Sequence, residues 1–286
     1  MKNKLRLITG LGAALLLLVG AAVQAHEGKT ITGLKMPESA ISGKDGRIYV
    51  SEINEFGKDG DGQISVIDKD GKATVFATGM DDPKGLAMIG KDLYVADKTR
   101  ILKVSPDGKW QVFVAAEAFP IAPQFLNDLE RSMQSDYLYV SDSGDLQGKG
   151  GVIYRIDLEG KVTKVIDSSG DARILTPNGL LMDDSGDVLI FVDFTSGVLY
   201  SLNMKTNTLT DIAEGFGGGD GVVHHPNGLM FVSDWKNGKV FSVKHDEVTL
   251  IKDGFKAAAD IALSADGKYL LVPDMKAGEL VMLPLH

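Results

Sequence analysis

Six polar residues occur along the chain at intervals of 40 to 51 residues, and five of them carry side-chain oxygen atoms. They are Glu38, Lys84, Asn127, Asn178, Asp220 and Asp260. Carboxylate and carboxamide oxygens are the ligands that hard cations such as Ca²⁺ prefer, whereas Zn²⁺ favours the Cys and His side chains that this set lacks. If the fold brings these residues together, they predict a site for one divalent cation, with Ca²⁺ the expected ion. The alternative is that they are ordinary turn and cap residues that happen to align.

The elements that must position these residues are short strands in a repeated pattern. A strand that ends in an acidic residue recurs six times, and the terminal acids are Glu52, Asp97, Asp142, Asp193, Asp234 and Asp274, at intervals of 45, 45, 51, 41 and 40 residues. Further alternating strands and Gly/Asp/Asn turns flank each copy. Four strands in each unit of about 40 residues are the signature of a propeller blade. The sequence therefore predicts an all-β fold, a six-bladed β-propeller with four-stranded blades.

The two ends of the repeat array are complementary. The sixth unit lacks an outer strand, because the chain ends soon after the segment ELVMLPLH. The segment KTITGL, at residues 29–34, is a spare strand that precedes the first unit. We expect this N-terminal strand of the mature chain to complete the sixth blade and close the ring.

The tetrapeptide Pro-Asn-Gly-Leu occurs twice, and the repeat separates the two copies. Asn178 lies 15 residues before the terminal acid Asp193, and the other five polar residues lie 13 to 15 residues before theirs. Asn227 lies only 7 residues before Asp234, where other units carry a hairpin turn. Asn-Gly suits such a turn because both residues tolerate positive φ. We therefore predict Asn178 at the mouth of the central channel and Asn227 in a surface turn.

The first 25 residues have the pattern of a secretory signal peptide. Lys2, Lys4 and Arg6 form a basic start, residues 7–23 are apolar or small, and residues 23–25 form a small-x-small cleavage pattern. The alternative is an uncleaved anchor, although the apolar run is short for a bilayer span. We predict a signal peptide at 1–25, one propeller domain at 26–286, a periplasmic or secreted location and no membrane span after cleavage.

Composition narrows the possible partners. Without the three basic residues of the leader, 27 basic residues stand against 39 acidic ones. Such an acidic surface repels phosphate backbones, so we expect no nucleic-acid partner. The chain has no cysteine, so an exported form must take its stability from a large core. We expect a monomer that acts on a small molecule.

Four motifs resemble those of the senescence marker protein/gluconolactonase/luciferin-regenerating enzyme family of six-bladed propellers. They are PESAIS from residue 37, FLND from residue 125, TPNGLLMDDSGD from residue 176 and GGGDGVV from residue 217. The resemblance implies that Glu38, Asn178 and Asp220 bind one divalent cation. It also implies that Asn127 is a further ligand or a substrate contact, with Asp128 beside it on the substrate side.

The resemblance implies an exported, divalent-metal-dependent hydrolase of the lactonase or esterase type. In the family a metal at the central channel polarises a carbonyl or phosphoryl oxygen, and here Asp220 would be both metal ligand and catalytic base. Electrostatic stabilisation of an oxyanion and a lowered pKa of bound water are what a cation supplies in such a site. The substrate would be a lactone or an ester.

Two residues depart from the family pattern. Phe125 stands where gluconolactonases carry an Arg, two residues before Asn127, which argues against a sugar acid lactone. Lys84 is a cation within a ring expected to bind a cation, and if it points inward it would weaken or replace the metal. Phe125, Trp235 and Phe255 are either apolar pocket groups or core residues.

These departures support an alternative. The chain could be a non-catalytic propeller that binds a protein or a small ligand, with a structural Ca²⁺ or no metal. Phe125 and Lys84 favour this alternative, whereas the set Glu38, Asn178 and Asp220 favours the hydrolase. Propellers host many functions, so the fold by itself does not decide between the two.

Overall fold

The computed structural model describes residues 28–134 and 137–285, and these form six four-stranded antiparallel sheets arranged as the blades of a propeller. The predicted signal peptide lies outside the described residues. The first three blades run in chain order from the inner to the outer strand. Blade 1 consists of β2 (Pro37–Ser42), β3 (Ile48–Glu52), β4 (Gly62–Ile67) and β5 (Ala73–Met80); blade 2 of β6 (Pro83–Ile89), β7 (Asp92–Asp97), β8 (Arg100–Val104) and β9 (Trp110–Val114); blade 3 of β10 (Leu126–Arg131), β11 (Leu138–Asp142), β12 (Val152–Ile156) and β13 (Val162–Asp167).

The remaining three blades repeat this order, and the last one is completed from the start of the chain. Blade 4 consists of β14 (Pro177–Met182), β15 (Val188–Asp193), β16 (Val198–Asn203) and β17 (Thr208–Glu214); blade 5 of β18 (Gly219–His224), β19 (Met230–Asp234), β20 (Lys239–Lys244) and β21 (Glu247–Lys252); blade 6 of β22 (Ala262–Leu263), β23 (Tyr269–Asp274), β24 (Glu279–Pro284) and β1 (Lys29–Thr32). The predicted six-bladed propeller is confirmed.

Strand β1 closes the ring as the sequence predicts. It pairs antiparallel with β24, with Ile31 opposite Leu280. Ile31 and Leu280 are both buried and pack with Ala40 and Val50 of blade 1. The N-terminal strand therefore joins the last blade to the first through both backbone pairing and side-chain packing.

The hydrophobic core is divided among the six interfaces between neighbouring blades. Tyr49 and Ile64 of blade 1 pack with Leu86 and Val95 of blade 2. Equivalent clusters lie at the five remaining interfaces between neighbouring blades. A single blade cannot bury both faces of its sheet, so its stability depends on contact with the next blade. The packed ring supplies the core that a chain without disulfides needs.

Other features of the chain are short connections. The single helix among the described residues is the 3₁₀ turn Ala116–Ala118. In the part of the chain described, no helix is long and apolar enough to cross a membrane. Asn227 is exposed in the hairpin between β18 and β19, where its Oδ1 accepts a hydrogen bond from the N–H of Leu229 at 3.0 Å. Its neighbour Gly228 has a φ of 89°, so the predicted turn is confirmed.

Candidate functional site at the central channel

In five of the six blades, a β-bulge at the start of the inner strand turns one polar side chain toward the central channel. In blade 4, Pro177 pairs with Asp193 and Leu180 pairs with Phe191, so Asn178 and Gly179 together oppose Val192. Blades 1, 2, 3 and 5 have the same irregularity at Glu38, Lys84, Asn127 and Asp220. Bulges re-aim side chains and are common next to active sites. Here five bulges present five polar residues to one space.

In three of these bulges, a serine side chain accepts a hydrogen bond from a backbone N–H group of the bulged strand. The Oγ of Ser51, Ser141 and Ser233 accepts a hydrogen bond from the N–H of Ser39, Asp128 and Gly221, respectively, at 2.8–3.0 Å. Each serine is the penultimate residue of the strand that ends in the repeated acid. The extra residue of a bulge leaves its N–H without a ladder partner, so the recurring Ser-Asp or Ser-Glu sequence supplies that partner from the next strand.

The repeated acids are buried, and their carboxylates accept hydrogen bonds from the backbone that leads into each inner strand. They accept backbone N–H groups two to four residues before the aligned polar residue: Asp97 from Asp81 and Asp82, Asp142 from Gln124 and Phe125, Asp193 from Leu175 and Thr176, Asp234 from Gly218, Asp274 from Lys256 and Ala257, and Glu52 from Lys35. Hydrogen bonds to an ionised acceptor are stronger than neutral ones. These hydrogen bonds fix the backbone from which the channel side chains project.

Glycines that follow the channel residues allow neighbouring inner strands to approach closely. A Cβ atom at Gly179 would lie 2.3 Å from the backbone oxygen of Asp220, and one at Gly85 would lie 2.5 Å from the Cα of Asp128. Both distances are far inside van der Waals contact. Only glycine fits at these positions, and the close approach brings Asn178 and Asp220 to the same side of the channel.

The five bulge residues form the polar part of a cavity of about 250 Å³. Glu38, Lys84, Asn127, Asn178 and Asp220 all line it, and each is 5% exposed or less. Apolar residues form the rest of its wall: Phe56, Phe125, Leu146, Phe194, Trp235 and Met275. The predicted convergence of Glu38, Asn178 and Asp220 on one space is therefore what the structure shows.

Among the residues that the structure describes, two oxygen atoms of this cavity lack a hydrogen-bond partner. They are Oδ1 of Asn178 and Oδ1 of Asp220, and both are buried. Leaving a buried acceptor unsatisfied costs about 1–3 kcal/mol. A cation held between these atoms would remove that cost, so the residues present fit the ion that the sequence predicts.

The candidate ligand set is made of two carboxylates and one amide. Among the described residues, no three Asp, Glu, His or Cys side chains come together as a metal-binding group. A site at this position therefore depends on Asn178 as the third protein ligand beside Glu38 and Asp220. Oxygen donors of this kind match the preferences of Ca²⁺.

Burial dominates the electrostatics of the site. It raises the pKa of Glu38 to about 7, with Ser39 and Lys84 acting in the opposite direction. Burial also raises the pKa of Asp220 well above its ordinary range, and the nearby Glu38 and Asp128 carboxylates raise it further. Because burial disfavours the ionised form of these carboxyls, a cation bound between them would stabilise their negative charges.

Lys84 lies inside the cavity wall with its ammonium group buried. It is 1% exposed, its Nζ donates to the backbone oxygen of Asp82 at 2.9 Å, and the ammonium lies 4.4 Å from the centre of the Phe125 ring. Burial lowers the pKa of Lys84, whereas Glu38, Asp82 and Asp97 raise it. Within the residues described, Lys84 makes no ion pair shorter than 4.0 Å, so it does not occupy the carboxylates as a salt-bridge partner.

Asp128 and Asp260 lie in a second, inner cavity of about 190 Å³. Asp128 accepts hydrogen bonds from the N–H groups of Leu129 and Leu180 at 2.7 and 2.6 Å, and burial raises its pKa to about 6. Asp260 accepts a hydrogen bond from Ser39 Oγ at 2.8 Å. Neither carboxylate lines the cavity of Asn127 and Asp220, so Asp260, the sixth residue of the predicted set, does not join the other five there. Glu130 lines the same inner space, and burial raises its pKa to about 8.

The apolar wall contains residues that motif reasoning does not find. These are Phe194 and Met275, which follow directly after the terminal acids Asp193 and Asp274, as the predicted Trp235 follows Asp234. The same alignment that finds the polar ring could have found them, one residue beyond each acid. Of the predicted apolar candidates, Phe125 and Trp235 line the cavity, whereas Phe255 packs between blades 5 and 6.

The fold and the site together define a six-bladed propeller with a buried oxygen-rich group at its central channel. The sequence model of the SMP-30/gluconolactonase/LRE-like region matches residues 87–246, and the chain belongs to that family. Sequence comparison with curated proteins finds no match. The predicted family membership is confirmed.

Solved structures with the same fold have low sequence identity to this chain. Regucalcin, a calcium-binding protein from Agrobacterium tumefaciens, superposes with a TM-score of 0.71 at 19% identity, covering 88% of this chain and 90% of that chain. A streptogramin B lyase has a TM-score of 0.65 at 12% identity, with 91% and 98% coverage. A nidogen/laminin complex has a TM-score of 0.61 at 18% identity, with 74% and 76% coverage. At these identities the likeness shows the fold.

Proposed function

We propose that this protein is an exported, divalent-cation-dependent hydrolase of lactones or esters, with Ca²⁺ bound by Glu38, Asn178 and Asp220. The observation that carries the proposal is the pair of buried, unpartnered oxygens on Asn178 and Asp220, which face the same cavity. Membership of the SMP-30/gluconolactonase/LRE-like family and the calcium-binding structural neighbour support the choice of cation and reaction.

The bound cation would supply Lewis-acid polarisation of a carbonyl oxygen and a lowered pKa for a water molecule. Asp220 would be both a ligand of the cation and the base that takes a proton from the attacking water, because its buried Oδ1 lines the cavity without a hydrogen-bond partner among the described residues. Asn127, whose Nδ2 donates to Ser143 Oγ at 3.2 Å, would present its amide oxygen to the cation or the substrate. Asp128 would act from the inner cavity, holding the backbone of Leu129 and Leu180.

The predicted leader at 1–25 belongs to this proposal, because it implies action in the periplasm or outside the cell. N-terminal sequencing of protein recovered from the export fraction tests it. A mature start at His26 is expected. Recovery of the whole chain in the cytoplasmic fraction would contradict export.

Calorimetric titration of chelator-treated mature protein with Ca²⁺ tests the metal site. Wild type should bind one ion, and both Glu38→Ala and Asp220→Ala should lose that binding because each removes an anionic ligand. A panel of lactones and esters, assayed with Ca²⁺ and with chelator, then tests the reaction. The proposed site would be contradicted if wild type bound no Ca²⁺, or if both variants bound Ca²⁺ as tightly as wild type does.

A second candidate is a non-catalytic binding propeller, and the position of Lys84 favours it. The buried ammonium already places one positive charge beside Glu38 in the cavity. In this alternative the lysine takes over the role of the cation and the cavity binds a ligand without reaction. Ligand binding that is unaffected by Ca²⁺ or chelator, together with no hydrolysis of any ester or lactone, would support it.

A further inference from the structure

The apolar part of the wall of the central cavity contains two aromatic pairs. Phe56 and Phe125 have ring centres 6.5 Å apart, and Phe194 and Trp235 have ring centres 6.2 Å apart. Both pairs line the space above Glu38, Asn178 and Asp220. A polyhydroxylated substrate would lose water from its hydroxyl groups here and gain few partners. An apolar, ring-sized group would gain buried contact area on both sides.

Apolar side chains at the mouth of this cavity remain open to solvent. Phe56 is 46% exposed and Leu146 is 41% exposed. Leu146 also has a φ of 59°, a left-handed conformation that a leucine rarely adopts. Backbone strain of this kind clusters at functional sites, and Leu146 is one of the residues that line this cavity. It extends the apolar wall to the entrance.

Two lysines lie against the aromatic residues of the wall. The Nζ of Lys236 is 4.3 Å from the centre of the Phe194 ring, and the Nζ of Lys276 is 4.0 Å from the Trp235 ring. Both lysines are exposed, and in residues 28–134 and 137–285 neither forms an ion pair with a carboxylate. The ammonium of Lys84 is buried beneath Phe125. On an acidic protein, Lys236 and Lys276 therefore place two accessible positive charges against rings that line the cavity, and among the described residues neither ammonium is paired with an acidic side chain.

We propose that the ligand of this cavity is an amphiphilic anion: an apolar, ring-sized body between the aromatic pairs and an anionic group at Lys236 and Lys276. This inference rests on the proposed function in placing the reacting carbonyl at Asn178 and Asp220, and it names the substrate class as an apolar ester or lactone that carries a carboxylate. Charge complementarity at the entrance selects the anion, and the aromatic wall selects the apolar body.

Fluorescence of Trp235 tests the inference without any reaction. The chain has two tryptophans, so Trp110→Phe leaves Trp235 as the reporter in the cavity wall. With chelator present, this variant is titrated with 3-phenylpropanoate, 3-phenylpropan-1-ol and gluconate. The carboxylate should bind about fivefold more tightly than the alcohol, the size of effect expected for exposed ionic contacts. Gluconate should not bind in the same concentration range.

Charge variants then locate the anion. Adding K236Q and K276Q together should abolish the preference for the carboxylate, whereas adding K244Q and K252Q, which alter exposed lysines of blade 5 outside the cavity, should keep it. Thermal unfolding checks that all variants fold. Equal binding of carboxylate and alcohol, tighter binding of gluconate, or a preference that survives K236Q and K276Q would overturn the inference.

A hydrolysis assay separates this inference from the proposed function. With Ca²⁺, 4-acetoxybenzoate should be hydrolysed faster than phenyl acetate, and both faster than glucono-1,5-lactone. If none reacts while the fluorescence results hold, the hydrolase proposal fails and the ligand class stands. If only the sugar lactone reacts, the hydrolase proposal stands and the ligand class is wrong.

Discussion

The carboxylate of Asp193 accepts a hydrogen bond from the N–H of Thr176 at 2.7 Å, two residues before Asn178. The same carboxylate accepts the N–H groups of Leu175, Thr195 and Ser196 at 2.9–3.1 Å, and Asp193 is fully buried. One side chain at the end of a second strand thus fixes the backbone that positions a candidate ligand on the first strand.

We expect Asp193→Ala to destabilise the protein by about 3 kcal/mol, because four backbone N–H groups, that of buried Thr176 among them, lose their acceptor together. Ca²⁺ affinity should fall as well, since the backbone before Asn178 is released. Urea unfolding and calorimetry measure the two effects. The matched control is Asp183→Ala, which removes an acceptor for Asp187 and Val188 in a turn away from the channel. A Ca²⁺ affinity unchanged in Asp193→Ala would contradict the positioning role.

The two Pro-Asn-Gly-Leu segments provide a paired test of the candidate metal site. Asn178→Ala should abolish measurable Ca²⁺ binding, because it removes a buried oxygen that has no other partner. Asn227→Ala should leave Ca²⁺ affinity unchanged and lower stability by about 0.5–1 kcal/mol, since only a turn hydrogen bond to Leu229 is lost. Calorimetric titration of both variants gives the comparison. Similar affinities in the two variants would exclude Asn178 as a ligand.

Gly179 should be intolerant of a side chain. In Gly179→Ala the new Cβ would lie 2.3 Å from the backbone oxygen of Asp220, so blades 4 and 5 would have to separate near the channel. We expect a loss of about 2–3 kcal/mol and weaker Ca²⁺ binding. Gly170→Ala is the control, because its Cβ would lie in an exposed turn with Ile166 Cγ1, at 3.2 Å, as its nearest neighbour. If both variants unfold at the same denaturant concentration as wild type, the close approach of the strands does not contribute to stability.

Lys84→Met tests whether the buried ammonium opposes the divalent cation. The substitution keeps most of the side-chain volume and removes a positive charge near Glu38. Ca²⁺ affinity should rise about tenfold, because two like charges no longer share a buried site. Lys91→Met, at an exposed position, should have no effect. Weaker Ca²⁺ binding in Lys84→Met would show that the lysine organises the site instead.

Stability should depend on pH through Glu130. Burial raises the pKa of Glu130 to about 8 from an ordinary 4.5, so the folded protein holds this proton more tightly than the unfolded chain. The resulting stabilisation is complete below about pH 4.5 and is lost as pH rises through about 8. The Tm of metal-free protein should therefore fall between pH 5 and pH 8. In Glu130→Gln the fall should be smaller, by about 2–4 °C for each kcal/mol that the Glu130 carboxyl contributes, since glutamine stays neutral.

Exposed Glu159 supplies the control for this pH experiment. Glu159→Gln should show the same fall in Tm between pH 5 and pH 8 as the wild type. A Tm that rises over this interval in metal-free wild type would contradict the raised pKa of Glu130. A slope unchanged by Glu130→Gln would assign the pH dependence to other buried carboxyls, such as Asp128.

The amino-acid sequence by itself determined the propeller, its six blades and the closing strand. Strand periodicity and turn residues are local, and a repeat spacing of 40 to 51 residues leaves few alternatives to a ring of blades. The same spacing distinguished Asn178 from Asn227 and placed Glu38, Asn178 and Asp220 at equivalent positions. These predictions succeed because each depends on one unit of the repeat at a time.

The tertiary structure decided what lies between the repeats. Contacts between segments distant in sequence place Asp128 and Asp260 in an inner cavity and bury Lys84 beneath Phe125. Such contacts also bring the terminal acids to the backbone N–H groups that they bind. The bulges have the same origin, because they arise only when two strands pair. Local pattern fixes which residues start a strand, whereas the direction of a side chain and its burial follow from the packing of one blade against the next.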